Sequence, residues 1–161
     1  MITDSQPSIR KNKVCGSEGR HAVYKPEFKK WRAVHIEMKV GVILTSDDPV
    51  KLYEAATYVA TELARGNEVV VFVTGRATLA FAGRSTLAET SEVKRMRELH
   101  VTWDELLPAA RPMGVKVIAC ETASRIFGVG EMEYTKMGFV DAVASMYTFL
   151  EEVGEGRVVT F

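Results

Sequence analysis

Val115-Lys116-Val117-Ile118-Ala119-Cys120 runs directly into Glu121-Thr122-Ala123-Ser124, and this junction decides the fold. The first six residues alternate in the manner of a buried strand. The next four open a helix. A parallel strand that passes straight into a helix is the unit of an open α/β sheet, and ligands of such sheets bind outside the carboxyl ends of the strands. Cys120 stands at that end. Its sulfur would meet the first N–H groups of the following helix, a setting that favours thiolate over thiol and makes a cysteine reactive. The same position also suits a cysteine that merely packs, because free Cys often behaves as a small buried hydrophobe. Position alone leaves both readings open.

The pattern repeats on either side. Val40-Gly41-Val42-Ile43-Leu44-Thr45 is a short apolar run of the kind found in buried parallel strands. Ser46-Asp47-Asp48-Pro49 supplies a capping carboxylate and a proline for the first helical turn. The helix is expected from about Pro49 to Arg65, with Leu52, Ala55, Ala56, Val59, Ala60 and Leu63 as its apolar stripe. Gly66 ends it. Glu68 to Thr74 is a second, β-branched strand.

Residues 75–82 suggest a short helix, and residues 83–100 are polar and mixed in charge. The latter read either as a solvated connection or as a lid beside the strand ends. Thr102 and Glu105 have the spacing of a capping box. The helix behind it reaches about Pro112, with Pro108 inside. After Cys120, a brief helix is expected over 121–127, ended by Gly128 and Gly130. Met132, Tyr134 and Met137 then read as core, pocket wall or subunit contact. Phe139–Ala144 reads as a fourth strand, and Ser145–Val153 as a helix turning Met146, Phe149 and Leu150 inward. Arg157–Phe161 is the fifth strand. Strands alternating with helices imply right-handed crossovers and a mainly parallel five-stranded sheet between helix layers, a three-layer α/β/α domain.

The composition permits one such domain. The chain has 161 residues, 47% hydrophobic and 26% charged, with a formal net charge of +0. The balance conceals an asymmetry. Residues 1–38 carry eight Lys/Arg against four Asp/Glu, and the rest 13 against 17. The first segment lacks apolar periodicity and reads as a flexible basic extension, with the domain proper over 39–161. Met38-Lys39-Val40 would also serve as a start. Two basic clusters, Arg10-Lys11-Asn12-Lys13 and Lys29-Lys30-Trp31-Arg32, leave a nucleic-acid arm conceivable, but a solvated tail is the reading adopted, and no nucleic-acid partner is expected. No apolar run approaches membrane-spanning length and no leader pattern occurs, so a cytoplasmic protein with free thiols is expected, with no membrane partner.

Several familiar chemistries are absent. There is no phosphate-binding glycine loop after the first strand, where the acidic Asp47-Asp48 would repel a phosphate. There is no G-x-S-x-G elbow. The two cysteines, at 15 and 120, form no C-x-x-C pair, and the three histidines match no ligand spacing, so neither metal nor cofactor is expected. Asp47 and Asp48 are explained as helix capping more simply than as a cation site. Thr45 and Thr74 end their strands and are candidate ligand contacts beside Cys120, or local backbone partners. Arg125, one turn beyond Cys120, is the candidate cation for a thiolate.

Taken in order, Val40 to Pro49, Gly114 to Cys120, and Met137-Gly138-Phe139-Val140-Asp141 resemble the DsrE/DsrF-like family, which includes sulfur-relay subunits of the TusD type. The resemblance covers residues 39–161. It implies an α/β/α domain that assembles as homo- or hetero-oligomers, commonly trimers or hexamers. It also implies a cysteine at the position of Cys120 that accepts sulfur as a persulfide and hands it to a partner thiol. The expected function is therefore an intracellular sulfur carrier or sulfurtransferase with Cys120 as nucleophile, served by sulfur donor and acceptor proteins. The alternative is a small-ligand-binding or structural subunit in which Cys120 only packs. Residues 1–38 have no counterpart in the resemblance.

Overall fold

The apolar runs become the strands of one sheet in the computed structural model, which describes residues 38–161 apart from Thr86 and Ala88. The basic segment read over residues 1–38, Cys15 included, lies outside the described residues except for Met38. The strands are β1 (Lys39–Leu44), β2 (Glu68–Val73), β3 (Lys116–Cys120), β4 (Ala142–Ala144) and β5 (Arg157–Thr160). They lie in the order β4-β3-β2-β1-β5. Every pairing is parallel. Parallel neighbours need crossovers. These are α1 (Pro49–Ala64) after β1, then α2 (Ala77–Phe81), α3 (Ser91–Glu98) and α4 (Trp103–Ala110) after β2. After β3 come α5 (Glu121–Phe127) and α6 (Glu131–Met137), and after β4 comes α7 (Met146–Val153). The result is a three-layer α/β/α fold.

Strand alternation sorts the side chains into two cores. Val40, Val42, Val71, Val73, Val117 and Ala119 face the helices of one layer, meeting Leu52, Ala56 and Val59 of α1, Phe81 of α2 and Leu107 of α4. The intervening residues Val70, Phe72, Ile118 and Cys120 face the other way, toward Phe149 and Val153 of α7. Phe72 and Phe149 stack with ring centroids 4.9 Å apart. Offset aromatic pairs of this kind add about 0.5–1.5 kcal/mol beyond the area they bury. Gly41 permits the approach of α7: a Cβ there would lie 2.8 Å from both Phe149 and Val153.

Helix ends follow the local chemistry read from the sequence. Asp48 caps α1, its carboxylate accepting from the N–H groups of Val50 and Lys51 at 2.9 and 3.0 Å. Gly66 follows that helix with φ 84°. Glu105 reaches back to the Thr102 N–H at 3.2 Å and accepts from the Thr102 hydroxyl at 2.7 Å. At the amino ends of the strands, Glu62 is buried but fully partnered by Arg65, Asn67 and Arg157, so it ties the end of α1 to β2 and β5.

Three expectations are corrected. The polar stretch 83–100 holds a helix, α3, capped by Thr90 and seated by Val93 and Met96 alone. Two apolar side chains three residues apart are too faint a stripe to stand out in so polar a sequence. The fourth strand is shorter than read. Phe139 leaves the strand register to pack against Trp103 at 5.3 Å. Asp141 turns its carboxylate onto the Val117 N–H and Arg111. Finally, Met146 and Leu150 do not face inward: they are 38% and 47% exposed, and α7 seats itself through Phe149 and Val153. One thin helix covers the middle of its sheet face and leaves its own flanks in water.

Candidate functional site

The carboxyl ends of β1, β2 and β3 stand in a row. Val73 pairs with Ala119, the last pairing between β2 and β3, and Thr74 and Cys120 are the residues that follow. Leu44 pairs with Val73, which puts Thr45 one strand further on. Of the residues singled out in the sequence, Thr74 is thus placed at the end of the strand next to that of Cys120. Thr45 is not, and its hydroxyl donates to the Phe161 carbonyl at 2.8 Å, a bond that ties β1 to the end of β5. Arg125 points away into solvent, where it pairs with Glu121 at 2.5 Å.

Cys120 is both the last residue of β3 and the N-cap of α5. Its sulfur accepts from the Ala123 N–H at 3.5 Å. This is the cap role usually filled by a Ser or Asp oxygen, here filled by sulfur. The side chain is 9% exposed and lies among Phe72, Ile118, Ala123 and Phe149. The thiol therefore sits at the rim of an apolar core, with one backbone dipole aimed at it.

Two features of the strand ends had no signal in the spacing of the sequence. The first joins the loops after β1 and β2. Asp47, 4% exposed, accepts from Arg76 Nε at 3.0 Å and Nη2 at 2.9 Å, a bidentate pair. The bond to Asp47, more than its charge, raises the Arg76 guanidinium above its ordinary pKa, although Arg76 itself is solvent-facing. Asp47 is therefore an anchor for Arg76, while Asp48 alone caps α1. Gly75, between the two loops, has φ 53°, and a Cβ there would lie 2.7 Å from the Thr45 carbonyl oxygen.

The second feature lies behind Cys120. The Ser124 hydroxyl donates to the Cys120 carbonyl at 2.8 Å, and the Tyr134 hydroxyl lies 2.8 Å from Ser124 Oγ. Burial holds the Tyr134 phenol above its ordinary pKa. The Ser124 bond opposes that rise, and the neighbouring Cys120 and Glu133 charges add to it. A serine four residues after Cys120 is the one trace of this arrangement in the sequence, since helical Ser often bonds the carbonyl four residues back. Nothing in the sequence marks Tyr134 as its partner.

Among the described residues no group of three or more His, Cys, Asp or Glu side chains could hold a metal ion, and no helix is long and apolar enough to cross a membrane. The chain matches the model of the DsrE/DsrF-like family over residues 38–161. Among solved structures it is similar to BT1422 from Bacteroides thetaiotaomicron, described as a conserved protein of unknown function. That match has 19% identity and a TM-score of 0.49, covering 76% of this chain and 94% of the other. It is also similar to the ychN protein from E. coli, at 16% identity and a TM-score of 0.48, covering 78% of this chain and all of that one. No curated protein matches.

Proposed function

The chain belongs to the DsrE/DsrF-like family, and on that premise we propose that it is a sulfur carrier that holds a persulfide on Cys120. The observation that carries the reading is the placement of this thiol. It caps α5 with its own sulfur at the carboxyl end of a central parallel strand, where the Ala123 N–H meets it. Such ends are where open α/β sheets act on ligands.

The chemistry is exchange at sulfur, with no net redox change. The Cys120 thiol loses its proton to solvent. The thiolate attacks the outer sulfur of a donor persulfide, forming a new S–S bond as the donor's own S–S bond breaks. The donor leaves as a thiolate and is protonated by water. An acceptor thiolate then attacks the outer sulfur on Cys120, takes it as a new persulfide, and returns Cys120 to the thiolate. One cysteine suffices on this chain. Thr74, which follows β2, is the proposed contact for the incoming donor. The partners are a donor protein presenting a persulfide and an acceptor protein presenting a thiol. Incubation with a persulfide donor under anaerobic conditions, followed by intact mass, tests the reading.

A second reading has its own support. Cys120 is 9% exposed and packs against Phe72, Ile118 and Phe149. A thiol so enclosed also suits a structural or ligand-binding subunit in which the cysteine only fills space. An inert thiol in the same assay would select this reading.

We further propose that residues after 38 build a homo-oligomer, a trimer or hexamer. The exposed Met146, Tyr147 and Leu150 on α7 support this. Light scattering on a chain beginning at Met38 tests it: an assembly of unchanged size is expected, and a monomer would transfer that role to the first 37 residues.

A further inference from the structure

Of the seven residues of α6, only Tyr134 is buried. The helix is entered through Gly128 and Gly130 and left through Gly138, with φ of 61° at Gly128 and 72° at Gly138. Its one buried side chain reaches the first turn of α5. Bonding capacity fixes the direction of the contact. Ser124 has one hydroxyl proton, and the Cys120 carbonyl can only accept, so Ser124 donates to Cys120. Ser124 Oγ can then only accept from Tyr134, whose phenol is the donor. The bonds run one way, from Tyr134 through Ser124 to the backbone of Cys120.

The far end of α5 is held separately. Arg84 donates to the Gly128 carbonyl at 2.9 Å and pairs with Glu133 at 3.5 Å. The turn that carries the Ala123 N–H is therefore secured by Tyr134 and Ser124. We propose that these two are positioning residues: they pin the first turn of α5 so that the Ala123 N–H stays on the Cys120 sulfur. The inference deepens the reading of Cys120 as the reacting thiol and rests on it. Tyr134 itself is electrostatically coupled to Cys120. The core cluster that holds Cys120 includes Phe72 from β2, Ile118 from β3 and Phe149 from α7. The charged residues of α5 itself, Glu121 and Arg125, pair with one another at the surface. From α6, Glu133 is engaged by Arg84 and by the Gly130 N–H.

The test is the pH dependence of Cys120 alkylation by iodoacetamide, in the full chain carrying Cys15→Ser so that one thiol reports. Tyr134→Phe and Ser124→Ala should each raise the midpoint by roughly 0.2–0.7 units, the equivalent of losing one N–H interaction at a helix end. Ser124→Thr keeps the hydroxyl and should restore the midpoint. Glu62→Gln, at the opposite end of the sheet, is the control: it should lower stability and leave the midpoint in place. Unmoved midpoints in Tyr134→Phe and Ser124→Ala would overturn the proposal, as would an equal shift in Glu62→Gln. If Tyr134→Phe fails to fold, the Ser124→Ala and Ser124→Thr pair decides. The assay needs no sulfur donor. A wild-type protein that takes up no sulfur would therefore sink the carrier reading while leaving the midpoint result intact.

Discussion

The Ala123 N–H donates to the sulfur of Cys120 across 3.5 Å, so the thiol caps the helix that follows its own strand. Charge at a helix terminus is stabilised by about 0.3–1 kcal/mol at an exposed site. That is less than one pKa unit. The contact is therefore a modest one. The placement of Cys120 at the strand ends matters more for what it can meet. The cation expected beside it, Arg125, pairs with Glu121 instead.

Gly41 sets the distance between β1 and α7. Alanine would gain a little in strand order over glycine, about 0.5–1 kcal/mol. It would also press a methyl group to within 2.8 Å of Phe149 and Val153, two side chains with no room to retreat. Overpacking of a closed core costs about 1–3 kcal/mol, and this should dominate. Gly41→Ala is therefore expected to lower the melting temperature by several degrees in calorimetry. An unchanged or higher value would show that α7 is free to shift.

Asp47 and Arg76 should behave as a coupled pair. Arg76→Met leaves a buried carboxylate without its donors, and such groups are costly. The single variant should lose stability, and adding Asp47→Asn should recover part of the loss. Additive losses in denaturant titrations would mean that the two side chains do not stabilise each other.

Acid should reveal the capping box. Hydrogen bonds from Thr102, and then from His100, hold the Glu105 carboxyl below its ordinary pKa. A lowered value in the folded state means the stabilisation is complete above the ordinary carboxylate range. It is then lost as pH falls through the folded value. Glu105→Gln should be less stable than the wild type at neutral pH and converge with it in acid. Parallel stability curves through the carboxylate range would contradict this account.

Much of this architecture was legible because each strand announces itself twice, by β-branched content and by the capping chemistry that follows. Asp48-Pro49 and Thr102–Glu105 marked helix starts correctly since those signals are local. What stayed hidden depends on contacts distant in sequence. α3 seats Val93 and Met96 against α1, a neighbour distant in sequence. Phe139 leaves the fourth strand because Trp103 and Phe81 offer it an aromatic site. The candidate site divided in the same way. Cys120 and its helix turn were readable from one junction. The committed hydroxyl of Thr45, the outward turn of Arg125, and the Tyr134–Ser124 bond depend on which strand and which helix become neighbours.

The central claim is that Cys120 carries sulfur, and intact mass after anaerobic incubation with a persulfide donor tests it most directly. The wild-type chain should gain about 32 Da per sulfur atom, reversible by a thiol reductant, as expected for a persulfide. Cys15→Ser should gain it equally, and Cys120→Ser should gain none. Sulfur still taken up by Cys120→Ser, or a wild-type thiol that takes up none, would contradict the account and leave Cys120 as a residue of the core.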